Sequence, residues 1–389
     1  MTLSKTFVSA FLLLPFASPL FAAEPSVVVL KTPDEGIQPQ AIVDRQGNIH
    51  LIVFKGAPSA GDIEYLVWKK GEKSFSKPIR VNSRDGSAMA IGTIRGAQVC
   101  LGRDGRIHVA WNGSGATEPN KNGGVGFFYA RSNADRTAFE PERDLMTRSS
   151  GLDGGGAIAA DDSGRVFAFW HGRTKKDAVG ERGRRLYVAR SVDDGATFAP
   201  EIAVLPDQET GACGCCGMKA LAAGDGKVFA VYRAAREGVD RDLTLVESTD
   251  GGETFKGSIL HPWPITTCPM SSMSFTEGGD GAIMTAWETE GQVYFQRLDD
   301  RSTREPRPIS PPGARGGRKH PSIARNAKGE TLLAWTEGTG WQKGGALVWL
   351  VFDAQGRPTK RQGRIDRGIP VWGLPTVVAR QDDGFAIIH

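Results

Sequence analysis

The chain has 389 residues and a formal net charge of +4, from 48 Lys and Arg against 44 Asp and Glu. So small an excess of positive charge excludes a strongly basic, nucleic-acid-binding chain. The hydrophobic content of 40% is sufficient for a large core, and 50 glycines with 22 prolines are typical of an all-β protein with many tight turns.

The first predicted element is a targeting segment. Lys5 precedes an apolar stretch at 7–17 that is too short to span a bilayer, and small residues follow it up to Ala22 and Ala23. We therefore predict a signal peptide over 1–23 and a secreted or periplasmic mature chain with no stable membrane insertion. An exported chain folds in an oxidising compartment, where disulfides form readily.

A turn and an alternating strand then recur through the rest of the chain, as in GRDGRIHVAW and DDSGRVFAFW. The repeat occurs seven times, 48 to 62 residues apart, with a turn glycine at Gly47, Gly105, Gly164, Gly226, Gly281, Gly329 and Gly384. One short strand precedes each turn, a third strand follows in most repeats, and a fourth is weaker. This organisation predicts an all-β β-propeller of four-stranded antiparallel blades.

The number of blades follows from the same repeat. Seven turns favour seven blades, with six as the alternative, because the last repeat ends at His389 after only two strands. The segment SVVVLK (26–31) resembles a fourth strand without a blade of its own. We predict that it pairs with the C-terminal hairpin and closes the ring, so that 24–389 form a single propeller domain.

Two octapeptides, SVDDGATF (191–198) and STDGGETF (248–255), follow third strands and fit the pattern Ser-x-Asp-x-Gly-x-Thr-Phe. This pattern is the Asp-box, and the chain resembles the Asp-box propellers of the sialidase superfamily. The resemblance implies a structural role, on the edge away from the active site, for Ser191, Asp193, Gly195, Thr197, Phe198, Ser248, Asp250, Gly252, Thr254 and Phe255. Family sialidases use a tyrosine nucleophile, whereas the tyrosines here occupy packing positions, so we expect a non-sialidase member.

Four of the five cysteines lie at equivalent positions of neighbouring repeats. Cys213, Cys215 and Cys216 precede the first strand of blade 4, and Cys268 precedes the first strand of blade 5. Their sulfurs are therefore predicted to converge on one face of the ring. Cys100 lies within a strand and is interpreted as a small buried apolar residue.

Three interpretations of these sulfurs remain open. An even number of cysteines in an oxidising compartment fits two disulfides, one of which would join Cys268 to the loop of blade 4. Thiols beside basic residues fit a reactive or redox-active site. Thiolates with thioethers nearby fit a soft metal, copper in particular, for redox chemistry or metal handling. The candidate metal ligands are Cys213, Cys215, Cys216 and Cys268, with Met218, Met270, His171 and His320 as further candidates.

The family resemblance leaves two other functions open. A glycoside hydrolase or glycan-binding protein would need carboxyl groups on the same face, together with arginines for an anionic sugar. Its candidate residues are Asp153, Arg233, Arg236, Glu288 and Arg318. An interaction scaffold with disulfide-fastened loops would need no catalytic group. The expected ligand is accordingly a small molecule, a metal or a glycan, and not a nucleic acid.

Overall fold

The computed structural model describes Met1 and residues 26–206, 211–236, 239–298 and 307–389. The predicted signal peptide therefore lies, except for Met1, outside the described residues. Helical structure in the described part consists of 3-10 turns at Pro33–Glu35, Arg103–Gly105 and Glu181–Gly183. No helix among these residues is long and apolar enough to cross a membrane.

The described strands form seven sheets, which are the seven blades favoured by the repeat, and the six-blade alternative is wrong. The chain begins with β1 (Val27–Leu30), which belongs to the last blade. Blade 1 contains β2 (Ile37–Val43), β3 (Ile49–Ala57), β4 (Ala60–Trp68) and β5 (Ile79–Arg80). Blade 2 contains β6 (Gln98–Leu101), β7 (Ile107–Asn112), β8 (Phe127–Arg131) and β9 (Arg143–Asp144). Blade 3 contains β10 (Ala157–Ala160), β11 (Val166–Gly172), β12 (Arg185–Ser191) and β13 (Ile202–Ala203).

Blades 4 to 6 follow the same antiparallel order, and blade 7 combines strands from both ends of the chain. Blade 4 contains β14 (Lys219–Ala222), β15 (Val228–Arg233), β16 (Leu243–Ser248) and β17 (Lys256–His261). Blade 5 contains β18 (Met273–Glu277), β19 (Ile283–Thr289) and β20 (Gln292–Arg297), and a bridge from Phe295 to Ile309 stands for its fourth strand. Blade 6 contains β21 (Arg318–Arg325), β22 (Thr331–Glu337), β23 (Gly345–Phe352) and β24 (Pro358–Ile369). Blade 7 contains β25 (Thr376–Ala379), β26 (Phe385–Ile388) and β1.

The N-terminal strand closes the ring, as predicted. β1 pairs with β26 so that Val27 lies opposite Phe385 and Leu30 opposite Ile388. The strand nevertheless occupies the third position of its blade rather than the fourth, and its pairing is parallel. β1 runs toward the face at which the next strand, β2, begins, and β26 runs toward the same face. Because β1 pairs directly with β26, with no other strand between them, the pairing is parallel.

The core lies between the blades. Eight hydrophobic clusters are present among the described residues: seven lie at the seven junctions of neighbouring blades, and a small eighth consists of Cys213, Cys216 and Ala235. The second strands of five blades contribute large aromatic side chains that are at most 4% exposed, namely Trp111, Trp170, Tyr232, Trp287 and Trp335. Burying one such side chain contributes about 2 to 3 kcal/mol, and each blade needs both neighbours to bury its two faces.

The ring has two distinct faces. First strands begin and second strands end at one of them, which we call the mouth face, and third strands end at the opposite face. Asp193 there accepts hydrogen bonds from the Thr197 backbone N–H (2.9 Å) and hydroxyl (2.6 Å), and Asp250 repeats both contacts with Thr254. Phe198 packs edge-to-face on Tyr129 of the preceding blade. The two octapeptides therefore close turns and join blades on the opposite face.

Candidate functional site

The four cysteine sulfurs converge at the mouth face, as the blade register predicts. The loop before β14 carries Cys213, Cys215 and Cys216, and Cys268 lies in the loop before β18. A disulfide joins Cys215 to Cys268, 53 residues apart in sequence. Cys268 is exposed and Cys215 is partly buried, so this bond lies at the surface and links blades 4 and 5.

Two free thiols lie beneath the disulfide. Cys213 and Cys216 are 3% and 2% exposed, and their Sγ atoms are 3.4 Å apart. The Sγ of Cys213 is also 3.4 Å from that of Cys215, and the three sulfurs of the loop all lie within 4.8 Å of one another. The cluster is therefore a buried dithiol in contact with a surface disulfide.

Backbone contacts from two blades hold this loop in place. The Cys213 N–H donates to the Arg233 carbonyl at the end of β15 (2.9 Å). The Gly217 N–H donates to the Ser271 carbonyl of blade 5 (2.9 Å), and the Ser271 hydroxyl donates to the Cys216 sulfur (3.4 Å). The sulfur positions consequently depend on the junction between blades 4 and 5.

The two free thiols differ in acidity. Burial alone would raise the pKa of Cys216, but hydrogen bonds from Cys213 and Ser271, together with the charge of Arg233, lower it to about 7. The hydrogen bond that Cys213 donates to Cys216 raises the pKa of Cys213, and burial raises it further. Of the two thiols, Cys216 therefore loses its proton more readily, and Cys213 keeps its proton and donates it to the Cys216 sulfur. A thiolate is both a nucleophile and a soft ligand.

Arg233 is the fixed positive charge behind the sulfurs. Its side chain is 1% exposed and its ring-stacking partner is Trp263, 4.9 Å from the guanidinium carbon. The guanidinium donates to the Ser271 hydroxyl (3.1 Å), the Arg241 carbonyl (3.0 Å), the Thr289 hydroxyl (3.0 Å) and the Glu288 carbonyl. The Arg233 guanidinium thus binds acceptors inside the protein and is not oriented to bind the carboxylate of a ligand with two hydrogen bonds.

The histidines named from the sequence lie outside the sulfur cluster. Among the described Cys, His, Asp and Glu side chains, the only group close enough to hold a metal ion is formed by the three cysteines of the loop. The Nε2 of His171 accepts hydrogen bonds from the Asp153 and Gly154 N–H groups (3.3 and 3.2 Å), so its proton is on Nδ1. His320 contacts the Ser272 hydroxyl at 3.1 Å. Both histidines position backbone at the mouth face.

The two methionines also point away from the sulfurs. Met218 is 4% exposed and packs in the cluster between blades 3 and 4. A Cβ placed on Gly92 of blade 2 would lie 2.9 Å from the Met270 methyl, so Met270 extends across the mouth face toward that blade. The disulfide removes Cys215 and Cys268 as thiolates. The eight-residue ligand set of the sequence is therefore reduced, in this oxidation state, to Cys213 and Cys216.

Of the residues proposed for glycan chemistry, the structure brings Arg233 and Glu288 together, while Asp153, Arg236 and Arg318 have other partners. Asp153 pairs with Arg95 (2.6 Å), and Arg236 pairs with Asp240 (2.6 Å). Arg318 lies 3.4 Å from the carboxylate of Glu337 and stacks on Trp335 of its own blade. Each arginine is engaged within its own region of the ring.

Glu288 is the most deeply buried acid of that set. It is 3% exposed, accepts the His320 N–H at 2.5 Å and lies 3.6 Å from the Lys319 ammonium. Burial raises its pKa, and the nearby Lys319 charge opposes the rise. Glu288 thus stabilises the start of β21 from within the ring.

Strained backbone marks the mouth face, a feature that the sequence does not reveal. Seven described residues other than glycine have positive φ where the chain approaches or begins a first strand: Asp34 (47°), Glu35 (59°), Gln38 (50°), Thr93 (66°), Met270 (46°), His320 (51°) and Trp372 (63°). Such conformations cost about 1 to 3 kcal/mol each and occur preferentially at functional sites. They therefore support the mouth face as the functional one.

A half-buried lysine occupies the centre of the ring, a position that the sequence does not reveal. Lys219, at the start of β14, donates to the side-chain oxygen of Gln40 (2.5 Å) and to that of Gln98. Burial lowers its pKa to about 7. The cavity around it is otherwise lined by uncharged groups, including Ser272, Ser274, His320 and Ser322.

No family model and no curated protein matches this chain. Solved structures do resemble it. An α-L-arabinanase from Penicillium chrysogenum has a TM-score of 0.55 at 14% identity over 85% of this chain and 98% of its own. A protein of unknown function from Dyadobacter fermentans has a TM-score of 0.53 at 15% identity over 81% and 94%.

A Hadza microbial sialidase has a TM-score of 0.51 at 14% identity, over 85% of this chain and 74% of its own. At these identities the shared property is the fold. The β-propeller architecture that the repeat predicts is therefore shared with these proteins.

Proposed function

We propose that this protein is exported and binds a soft metal ion, copper(I), through the thiolates of Cys213 and Cys216. One observation carries the proposal: two buried free thiols lie with their sulfurs 3.4 Å apart at the mouth face, with a third sulfur of the loop within 4.8 Å. Thiolates select soft ions, and a buried pair excludes competing oxygen ligands. Metal handling or metal-based redox chemistry is the function that such a site serves.

The number of available thiolates favours copper(I) over zinc. Structural zinc sites take four protein ligands in a tetrahedron. With Cys215 and Cys268 joined, the cluster offers two thiolates, which suits the low coordination numbers of copper(I). The acidity of Cys216 contributes as well, because hydrogen bonds from Cys213 and Ser271 lower its pKa and so favour the thiolate that binds the metal.

The contacts of the arginines disfavour the glycan-directed alternative. Arg233, Arg236 and Arg318 all bind acceptors within the protein; Arg233 and Arg236 belong to blade 4, and Arg318 belongs to blade 6. A scaffold without chemistry does not account for a thiol of lowered pKa beside a disulfide. These observations leave metal binding as the better-supported function.

The proposal is tested by anaerobic titration of the metal-free protein with copper(I) against a coloured competing chelator. The wild-type protein is expected to withdraw one copper ion per chain, and Cys213→Ser and Cys216→Ser are expected to lose this capacity. Cys100→Ser is the matched control, since Cys100 is a buried thiol of blade 2 outside the cluster. The proposal fails if the wild-type protein does not compete, or if all three variants bind as the wild type does.

A further inference from the structure

The surface disulfide and the buried dithiol are in direct contact through one atom. The Sγ of Cys213 lies 3.4 Å from Cys215, which is bonded to Cys268, and 3.4 Å from Cys216. The single proton of Cys213 is donated to Cys216, and the contact with Cys215, which carries no proton, is a contact between two sulfur atoms. Cys213 therefore has a disulfide sulfur on one side and a proton acceptor on the other.

We propose that these four sulfurs form a thiol–disulfide exchange site in which Cys213 attacks Cys215 and releases Cys268. In this step the Cys213–Cys215 bond forms and the Cys215–Cys268 bond breaks. The Cys213 proton passes to Cys216, with which it is already hydrogen bonded, and Cys268 leaves with the bonding electron pair as a thiolate. The step consumes no oxidant or reductant, because one disulfide replaces another.

Burial gives the exchange its direction. The attacking sulfur is 3% exposed, whereas the leaving sulfur belongs to an exposed residue. The exchange thus moves the oxidised bond into the loop of blade 4 and places a reactive thiolate on the protein surface. Cys213, Cys215 and Cys216 share one loop, so the new bond requires side-chain movement in that loop and no displacement of a strand.

A purely structural disulfide would have little to stabilise at this position. Seven inter-blade clusters already hold the ring, including the cluster between blades 4 and 5 that contains Trp287. A propeller of this size buries enough apolar surface without a covalent link. Thiol–disulfide exchange, in contrast, explains why the free thiols of Cys213 and Cys216 lie beside the disulfide.

The reactant class follows from the exposed sulfur. The Cys268 thiolate is accessible to disulfides of small molecules or of protein surfaces. Attack on such a disulfide forms a mixed disulfide at Cys268 and releases the second half of the reactant as a thiolate. This activity goes beyond copper binding and does not require a metal.

The test uses the full-length, oxidised, metal-free protein under native conditions without reductant. N-ethylmaleimide is added, the reaction is stopped with acid at intervals, and labels and disulfides are located by peptide mass spectrometry. In the wild-type protein we expect Cys268 to become labelled over time, with the remaining disulfide between Cys213 and Cys215. In Cys213→Ser we expect labelling of Cys268 to slow by about tenfold or more, because the internal nucleophile is absent.

Cys100→Ser serves as the control and is expected to label Cys268 at the wild-type rate. The proposal is overturned if Cys268 stays unlabelled in the wild-type protein while the Cys215–Cys268 peptide persists. It is equally overturned if the wild type and Cys213→Ser label at the same rate. The wild-type result stands even if the variant folds poorly, and thermal unfolding of each variant reports on its folding. Copper is absent throughout, so this outcome is independent of the copper titration.

Discussion

The two faces of the propeller use unusual backbone in different ways. On the opposite face, positive φ outside glycine occurs at Asp104, Asp194, Asp225, Asp383 and Arg136. At the starts of the first strands on the mouth face it occurs at Gln, Thr, Met, His and Trp residues, as well as at Asp34 and Glu35 before β2. Aspartate tolerates the left-handed conformation because its short side chain bonds locally, whereas this conformation is unusual for a β-branched or bulky residue such as Thr93 or Trp372.

The difference extends to the repetition of contacts. The turns of blades 3 and 4 on the opposite face share one hydrogen-bonding pattern, from the serine hydroxyl to the aspartate at 2.7 Å in both and from the threonine hydroxyl at 2.6 Å in both. The mouth face has a different set of groups in each blade. Contacts that recur from blade to blade serve the fold, whereas groups that differ between blades, as on the mouth face, are the candidates for function.

The largest expected effect concerns pH and the buried histidines of the mouth face. Burial lowers the pKa of His171 and of His320 from 6.5 to about 3. Below pH 6.5 these histidines are therefore protonated in the unfolded chain but stay neutral in the folded chain. Their contribution to the free energy of unfolding is fully present above pH 6.5 and decreases as the pH falls toward 3. Each histidine should contribute a slope of about 1.4 kcal/mol per pH unit.

Urea unfolding between pH 6.5 and 4.5 measures this slope, and comparison with a double variant separates it from carboxyl groups that titrate in the same range, such as Glu288, whose pKa is raised by burial. The double variant His171→Gln, His320→Gln should show a flatter dependence than the wild type, whatever its absolute stability. An unchanged slope would mean that these histidines are not held neutral by the mouth face.

The next largest effect is expected from Arg233→Met. The substitution removes four donated hydrogen bonds and leaves buried acceptors unpaired, so the free energy of unfolding should fall by about 3 kcal/mol. The pKa of Cys216 should also rise, because a positive charge beside it is lost. Urea unfolding and the pH dependence of thiolate ultraviolet absorbance measure the two changes.

Arg236→Met is the matched control on the same face, since the Arg236 side chain is 52% exposed. Its effect on stability should stay within about 0.5 kcal/mol. Equal losses in the two variants would contradict the role assigned to Arg233.

A smaller effect is expected on the opposite face. Asp193→Ala removes the acceptor of the Thr197 N–H and hydroxyl and should lower Tm by less than Arg233→Met does. Copper(I) binding should remain at the wild-type value, because the turn lies across the ring from the cysteines. A loss of copper binding in this variant would break the proposed division between the two faces.

The smallest expected effect is a gain in stability. Thr93→Gly replaces a β-branched residue at φ of 66°, and the relief of strain should exceed the entropy cost of glycine by about 0.5 kcal/mol. Thr276→Gly, within the regular strand β18, should instead destabilise the protein. Denaturant unfolding of both variants checks the sign, and a destabilising Thr93→Gly would show that the strain is compensated locally.

Much of the site could be predicted because the repeat register fixes which loops are neighbours. Cys213 and Cys268 precede the first strands of adjacent blades, and this alone brings their sulfurs to one face. The partner of Cys268 could not be chosen in the same way. Three cysteines share four positions of one loop, and only the loop conformation directs Cys215 outward and Cys213 and Cys216 inward.

The directions of the other candidate ligands were equally undetermined. Met218 follows the cysteines by two residues, yet its side chain packs between blades 3 and 4 because alternate residues at a strand start face opposite sides. His171 ends a second strand at the mouth face, but its ring accepts N–H groups of the Asp153–Gly154 loop. Spacing along the chain does not specify such side-chain orientations.

The sequence by itself determined the propeller, closure by the N-terminal strand and the convergence of four sulfurs, and it favoured seven blades over six, because these follow from hydrophobic alternation and repeat spacing. Only the tertiary structure decided the number of blades, the parallel pairing of β1, the disulfide partner of Cys268 and the engagement of Arg233 with internal acceptors. It also revealed the strained mouth-face backbone and the central position of the half-buried Lys219. These features arise from contacts between blades, whose geometry depends on packing of residues far apart in the chain.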